Sequence, residues 1–184
     1  MGIGNRTLSW LSKYIDGKVT ANVSSKFTIS IVGFSNNYTE DAYYGRDPGD
    51  SVDQKWDYSL GTSVAAESYV VSARTANFVA TSNCKVTKLK GWALASGHTE
   101  TLEIDIWKGT PVDASSANVT YSQIGSATSP SATTANKVYD LDTTYTTGNT
   151  LSTGDVLMLT SRKTTGGNGN DPIYFTITLE LEFT

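Results

Sequence analysis

The stretch Pro172–Phe183, PIYFTITLELEF, decides the fold class. Ile173, Phe175, Ile177, Leu179, Leu181 and Phe183 alternate strictly with Tyr174, Thr176, Thr178, Glu180 and Glu182. Successive side chains of a strand point to opposite faces, so this period of two puts six apolar residues on one face of a strand long enough to span a domain. A polar opposite face is the mark of an antiparallel sheet that covers a core on one side only. Two further stretches repeat the pattern. In Thr101–Lys108, Leu102, Ile104 and Ile106 oppose Glu103 and Asp105, and in Lys26–Val32, Phe27, Ile29 and Ile31 oppose Thr28 and Ser30.

Between these anchors the chain reads as further short strands: Ser68–Ala73, Asn77–Ala80, Cys84–Ala95, Ala117–Ile124, Lys137–Leu141 and Val156–Arg162. Turns are signalled at 96–98 (SGH), 108–111 (KGTP), 147–149 (TGN), 153–155 (TGD) and 166–172 (GGNGNDP). No helical pattern separates the strands, so no βαβ unit forms and the sheets must be antiparallel. The expected fold is all-β, an antiparallel two-sheet β-sandwich of jelly-roll type with an N-terminal arm or short helix. Leu8, Leu11 and Ile15 stand at helical spacing in that arm. Residues 1–25 are read as the arm and 26–184 as a single sandwich domain. Within the domain, residues 33–63 lose all periodicity while carrying six acidic residues, several Tyr and Trp56, and form a long aromatic and acidic loop. The Ser/Ala/Thr-rich run 125–136 is a second long loop.

Composition agrees. With 27 Thr and 21 Ser among 184 residues, 16 Gly and only 4 Pro, the chain favours strands and turns. At this length one domain buries roughly 70% of its unfolded surface, so its core needs no staples. A net charge of −4 offers no footprint for a phosphate backbone, and nucleic acid is not an expected partner. No run approaches the 18 apolar residues of a membrane span, and the N-terminus lacks the pattern of a signal peptide, so neither a membrane nor secretion is expected. Asn-x-Ser/Thr matches at Asn5, Asn22, Asn37 and Asn118 are what a chain this rich in Ser and Thr produces by chance.

Chemistry-bearing constellations are sparse. His98 has no nucleophile and orienting carboxylate at a recognisable spacing. Cys84, the one cysteine, reads as a small apolar filler in a strand, although Lys85 beside it would favour a thiolate. Asp47, Asp50 and Asp53 recur in a Gly/Pro loop and could gather around calcium, but the spacing is not that of an EF-hand, and no metal is expected. Asp140 and Asp142 share a strand face, as many solvated acids do. With no Walker loop, dinucleotide fingerprint or nucleophile elbow, no catalytic residue and no cofactor is assigned, and the chain is read as a non-enzyme. The four tryptophans, Trp10, Trp56, Trp92 and Trp107, invite a carbohydrate-stacking reading, and of them Trp107 falls on the Glu103/Asp105 side of its strand and should point outward, to a ligand, a neighbouring subunit or a covering loop. Packing of Trp92 and Trp107 by the chain's own long loops is the competing expectation.

The second half resembles small virion proteins of tailed bacteriophages of marine and cyanobacterial type. The likeness is carried by CKVTKLKGWAL at 84–94, LEIDIWKGTP at 102–111, IGSATS at 124–129, LSTGDVLML at 151–159 and ITLELE at 177–182. It covers about residues 64–184, whereas residues 1–63 match no family. The resemblance implies a homotrimeric jelly-roll module with no enzymatic residue to transfer, used as a capsid decoration (cement) protein or as a fibre or receptor-binding knob. No heptads or repeated shaft precede the sandwich, which favours decoration. The expected partners are then the major capsid protein and further copies of the chain. The expected location is the virion surface, after synthesis in the host cytoplasm. The expected footing is the segment 1–63, with Trp10, Tyr14, Tyr43, Tyr44 and Trp56 as aromatic anchors. The alternatives are a trimeric knob that recognises host-surface glycan and a carbohydrate-binding module.

Overall fold

The computed structural model describes residues 25–35, 42–46, 56, 58–64, 66–68, 76–95, 101–111, 118–128, 137–165 and 173–184. The expected arm, with Trp10 and Tyr14, lies outside them, as do His98 and the Asp47, Asp50 and Asp53 cluster. The strands are β1 (Lys26–Ser35), β2 (Tyr43–Gly45), β3 (Tyr58–Gly61), β4 (Ala66–Ser68), β5 (Ala76–Val79), β6 (Cys84–Ala95), β7 (Thr101–Thr110), β8 (Asn118–Thr128), β9 (Lys137–Thr144), β10 (Thr150–Leu151), β11 (Val156–Thr165) and β12 (Ile173–Phe183). The principal strands foreseen from alternation are all present. The short β2 and β3 lie within the loop expected at 33–63, β8 runs on to Thr128 into the loop expected at 125–136, and β10 abuts the turn expected at 147–149. The expected strand Ser68–Ala73 is instead β4, which ends at Ser68, and residues 69–73 fall outside the described part.

All pairings are antiparallel and build two sheets. Sheet A runs β1-β12-β6, with β9 and β10 dividing the free edge of β6 between them. Sheet B runs β4-β8-β7-β11, with β5 and the β2-β3 pair dividing the free edge of β11. The principal pairs β1 with β12, β5 with β11, β6 with β9 and β7 with β8 are the rungs of one long folded hairpin. Its rungs alternate between the two sheets, and the β12–β6 and β11–β7 pairs stitch them together. That wrapped hairpin is the jelly roll, an architecture that closes two sheets over one core.

Alternation then fills the interior. Phe175, Ile177, Leu179 and Leu181 of β12, Leu102, Ile104 and Ile106 of β7, and Leu157 and Leu159 of β11 are buried in one cluster, with Phe27, Ile29 and Ile31 of the edge strand β1 half-buried beside them. Each such side chain contributes about 1.5–3 kcal/mol by leaving water. Cys84 belongs to this cluster, as expected of a filler, and burial pushes its thiol up.

In β6 strict alternation fails at one point. Counting by twos from Cys84 and Val86 would send Lys88 and Lys90 into the core. A register shift opposite Glu180 and Leu181 leaves Thr87 as an extra residue, so that Leu89 and Ala93 turn inward instead. A β-bulge of this kind swaps the faces of everything beyond it. Thr87 is held there by its hydroxyl, which donates to the Glu180 backbone carbonyl at 3.1 Å and to its carboxylate at 2.8 Å. The expected TGD turn forms as well: Gly154 takes φ +91°, and Asp155 accepts from the Ser152 backbone N–H at 2.7 Å and the Thr110 hydroxyl at 2.7 Å.

Candidate functional site

The outer faces of the two sheets differ in how they are finished. On sheet B, Glu103, Asp105 and Trp107 do share the outward side of β7, but the chain covers them itself. Trp107 is 8% exposed, packed with Tyr43, Val64, Val119, Tyr121 and Met158. The Tyr43 ring meets Trp107 edge-on at 5.3 Å, and the indole Nε1 donates to Thr160 Oγ1 at 2.8 Å. Of the three destinations foreseen for Trp107, the covering loop is the one observed. Gly109 makes room for this cover, because a Cβ there would stand 2.6 Å from the Tyr121 ring.

Beside this cluster lies a compact polar group. Arg162 donates to Glu103 Oε2 through Nη2 at 2.8 Å and Nε at 3.1 Å, while its guanidinium lies 4.8 Å from the centre of the Tyr43 ring. Ser126 donates to Glu103 at 2.8 Å, and Gln123 donates to Asp105 Oδ1 at 2.5 Å. Asp105 has no solvent exposure, and its Oδ2 finds no hydrogen-bond donor among the described residues. Burial, and then the Glu103 charge, raise the Asp105 carboxyl to about 7. Glu103 is held below its ordinary value by its Ser126 and Arg162 hydrogen bonds, which outweigh its own desolvation. Two carboxylates driven apart in this way resemble an acid–base pair. Asp105 is sealed from any substrate, however, and the arrangement is that of a structural network.

The expected aromatic anchors are also placed inside the chain. Tyr43 and Tyr44, neighbours on β2, point to opposite faces of sheet B, one into the Trp107 cluster and the other into the main core. Trp56 is fully buried, edge-on to Phe175 at 4.9 Å. The three rings expected as contact anchors are thus buried within the chain. The loop that carries them bears apolar area that closes over its own sandwich, and that area is no longer free for a partner.

No described residue covers the outer face of sheet A, which changes character along the strands. At one end, ion pairs cross between strands: Lys26 to Glu180 at 2.7 Å, Lys85 to Glu182 at 3.2 Å and Lys88 to Asp142 at 2.8 Å. Their hydrogen bonds hold Glu180 and Asp142 below the usual carboxylate range, and on so exposed a surface they contribute little to stability. Asp140 and Asp142 do share this face. Towards the other end stand Val32, Trp92, Val138 and Tyr174, each more than two-fifths exposed. Between the two lies an open depression of about 430 Å3 lined by Thr28, Lys88, Lys90, Gly91, Trp92, Thr176, Thr178 and Glu180. The pairing register explains it. Short Thr176 and Thr178 on β12 stand opposite long Trp92 and Lys90 on β6, so the central strand forms a floor and its neighbour a wall.

Of the two readings of Trp92, packing by the chain's own loops is the one the structure does not show, since Trp92 is 42% exposed. The parity of KLKGWAL at 88–94 turns Trp92 outward with Lys88 and Lys90 while Leu89 and Ala93 keep the other face, but parity carries no signal of whether a distant segment covers it.

No protein-family model matches this chain, and no curated protein matches it. Among solved structures, one from desmodium yellow mottle tymovirus aligns with 86% of this chain and 87% of its own at 12% identity, with a TM-score of 0.25. A likeness that distant carries no weight for the function.

Proposed function

We propose that this chain is a non-enzymatic structural protein of a virion, a decoration protein seated on the outer face of a tailed-bacteriophage head. In this reading it acts as a homotrimer bound to the major capsid protein. The observation that carries it is the jelly roll itself, closed by four alternating rungs around an apolar interior. Such a body offers rigid outer faces rather than an internal reaction chamber, and the hairpin series quoted from the sequence resembles phage modules of that build. Because Tyr43, Tyr44 and Trp56 are engaged within the chain, the described part of the footing falls on Val32, Val138 and Tyr174 at one end of the outer face of sheet A, none of which lines the depression. Exposed apolar side chains grouped on one face mark contact surfaces.

Immunogold labelling of intact particles, with antibody raised against the purified chain, tests the proposal. Gold over the whole head is the expected result. Gold confined to tail or fibre tips would refute decoration in favour of a receptor-binding knob, the second reading, which the exposed Trp92 beside its depression favours.

A further inference from the structure

We infer that the depression on the outer face of sheet A is a saccharide site, in which a pyranose ring of a polysaccharide chain stacks on Trp92 and is held by the hydroxyl floor of Thr176 and Thr178. The inference does not rest on a position in the virion, since it is read from the side chains alone.

Three observations carry it. First, an indole 42% exposed at the wall of a depression presents a flat apolar face that water solvates poorly. A pyranose ring is one of the few ligands with a flat apolar face of its own, its C–H side, and polar groups around the rim. Second, the floor matches that rim. Thr176 stands directly opposite Trp92 and Thr178 opposite Lys90, so the strand that carries these hydroxyl groups lies one strand spacing, about 4.8 Å, from the strand that carries the stacking wall. The Thr178 hydroxyl shares a bond of 3.3 Å with that of Ser30, while the side-chain hydroxyls of Thr28 and Thr176 make no hydrogen bond among the described residues.

Third, the charges are arranged for hydroxyl recognition rather than for a protein. Lys88 is engaged by Asp142, and Glu180 by Lys26 and Thr87. Lys90, in contrast, forms no ion pair among the described residues and keeps its donors available. The centre of a protein–protein interface is depleted of Lys and Glu, and this depression has two Lys and one Glu in its lining. Its volume lies within the roughly 300–1,000 Å3 of small-ligand sites, and its open sides would let a chain of sugars enter and leave.

The full chain, applied to an array of immobilised cello-, malto-, manno-, galacto-, chito- and galacturono-hexasaccharides and then titrated calorimetrically with the hexasaccharide bound best, tests the inference. The expected result is saturable binding of at least one series, weakened about tenfold or more in Trp92→Ala and detectably in Thr178→Val. Trp92→Ala should keep its unfolding midpoint, because so exposed a side chain carries little of the fold. Absence of saturable binding to every series, or equal binding by parent and Trp92→Ala, would overturn it. A concentration-dependent dimer in sedimentation that Trp92→Ala abolishes would also overturn it, and would assign this face to a second copy of the chain.

Discussion

Asp105→Asn should make this protein less sensitive to alkali. The buried carboxyl is raised from 3.8 to about 7, chiefly by burial and then by the Glu103 charge, with Arg162 Nε no closer than 4.0 Å. Between those two values the folded chain holds a proton that the unfolded chain has released. Unfolding free energy therefore falls as pH rises through the window and levels off above about 7. Glu103 acts in the opposite sense, but only at lower pH. Its lowered value adds stability above its ordinary 4.5 that is lost as pH falls through the folded value, which leaves about pH 5 to 7 to Asp105. At about 1.4 kcal/mol per unit, the parent should lose about 2–3 kcal/mol between about pH 5 and pH 8. Asparagine keeps an oxygen for the Gln123 donor and cannot ionise, so the variant's profile should be flat there and cross above the parent's near neutrality. Urea midpoints for both proteins at constant ionic strength read this directly, and the difference between them cancels titration elsewhere in the chain. A parent profile flat from about pH 5 to pH 8, or an equal slope in the variant, would refute the account of Asp105.

Three further predictions concern how the sandwich is sealed. Gly33→Ala would press a Cβ against Trp56 Nε1 and put it 2.7 Å from Phe175, so the Trp56 indole must shift. Overpacking of this kind should cost about 1–3 kcal/mol, and an unchanged urea midpoint would show that the loop carrying Trp56 yields freely. Trp107→Phe removes the donor to the buried Thr160 hydroxyl and should cost about 1–3 kcal/mol, part of which a second change, Thr160→Val, restores. Failure of that rescue in a double-mutant comparison would deny the bond its role. Cys84, fully buried with its thiol pushed up, should react with an aromatic disulfide only at the rate of global unfolding, and fast labelling of the native protein would contradict its place in the core.

The local pattern by itself determined the strands and their faces. IYFTITLELEF and LEIDIW alternate so strictly that the two sides follow from the pleat alone, and Phe175, Ile177, Leu179, Leu181, Leu102, Ile104 and Ile106 fill the core accordingly, although Phe183 at the strand end is exposed and Asp105 and Trp107 on the outward side are covered. The turn before β11 was equally plain, because TGD requires a residue that tolerates positive φ. The order of strands in each sheet was not legible in this way, since β1 pairs with β12 across almost the whole chain and no local feature encodes such a partner. Nor was the face of β6 fixed from its start, where one extra residue at Thr87, set by the β12 register, reverses the parity. The tryptophans make the distinction sharpest. Trp92 and Trp107 each stand on the charged side of an alternating strand, and nothing in either neighbourhood separates them. Trp107 is covered because Tyr43 and Val64 close over sheet B, and Trp92 is 42% exposed on sheet A. Pleat geometry is local and so is written in the sequence, whereas register and cover depend on which distant segments meet, and only the folded chain decides that.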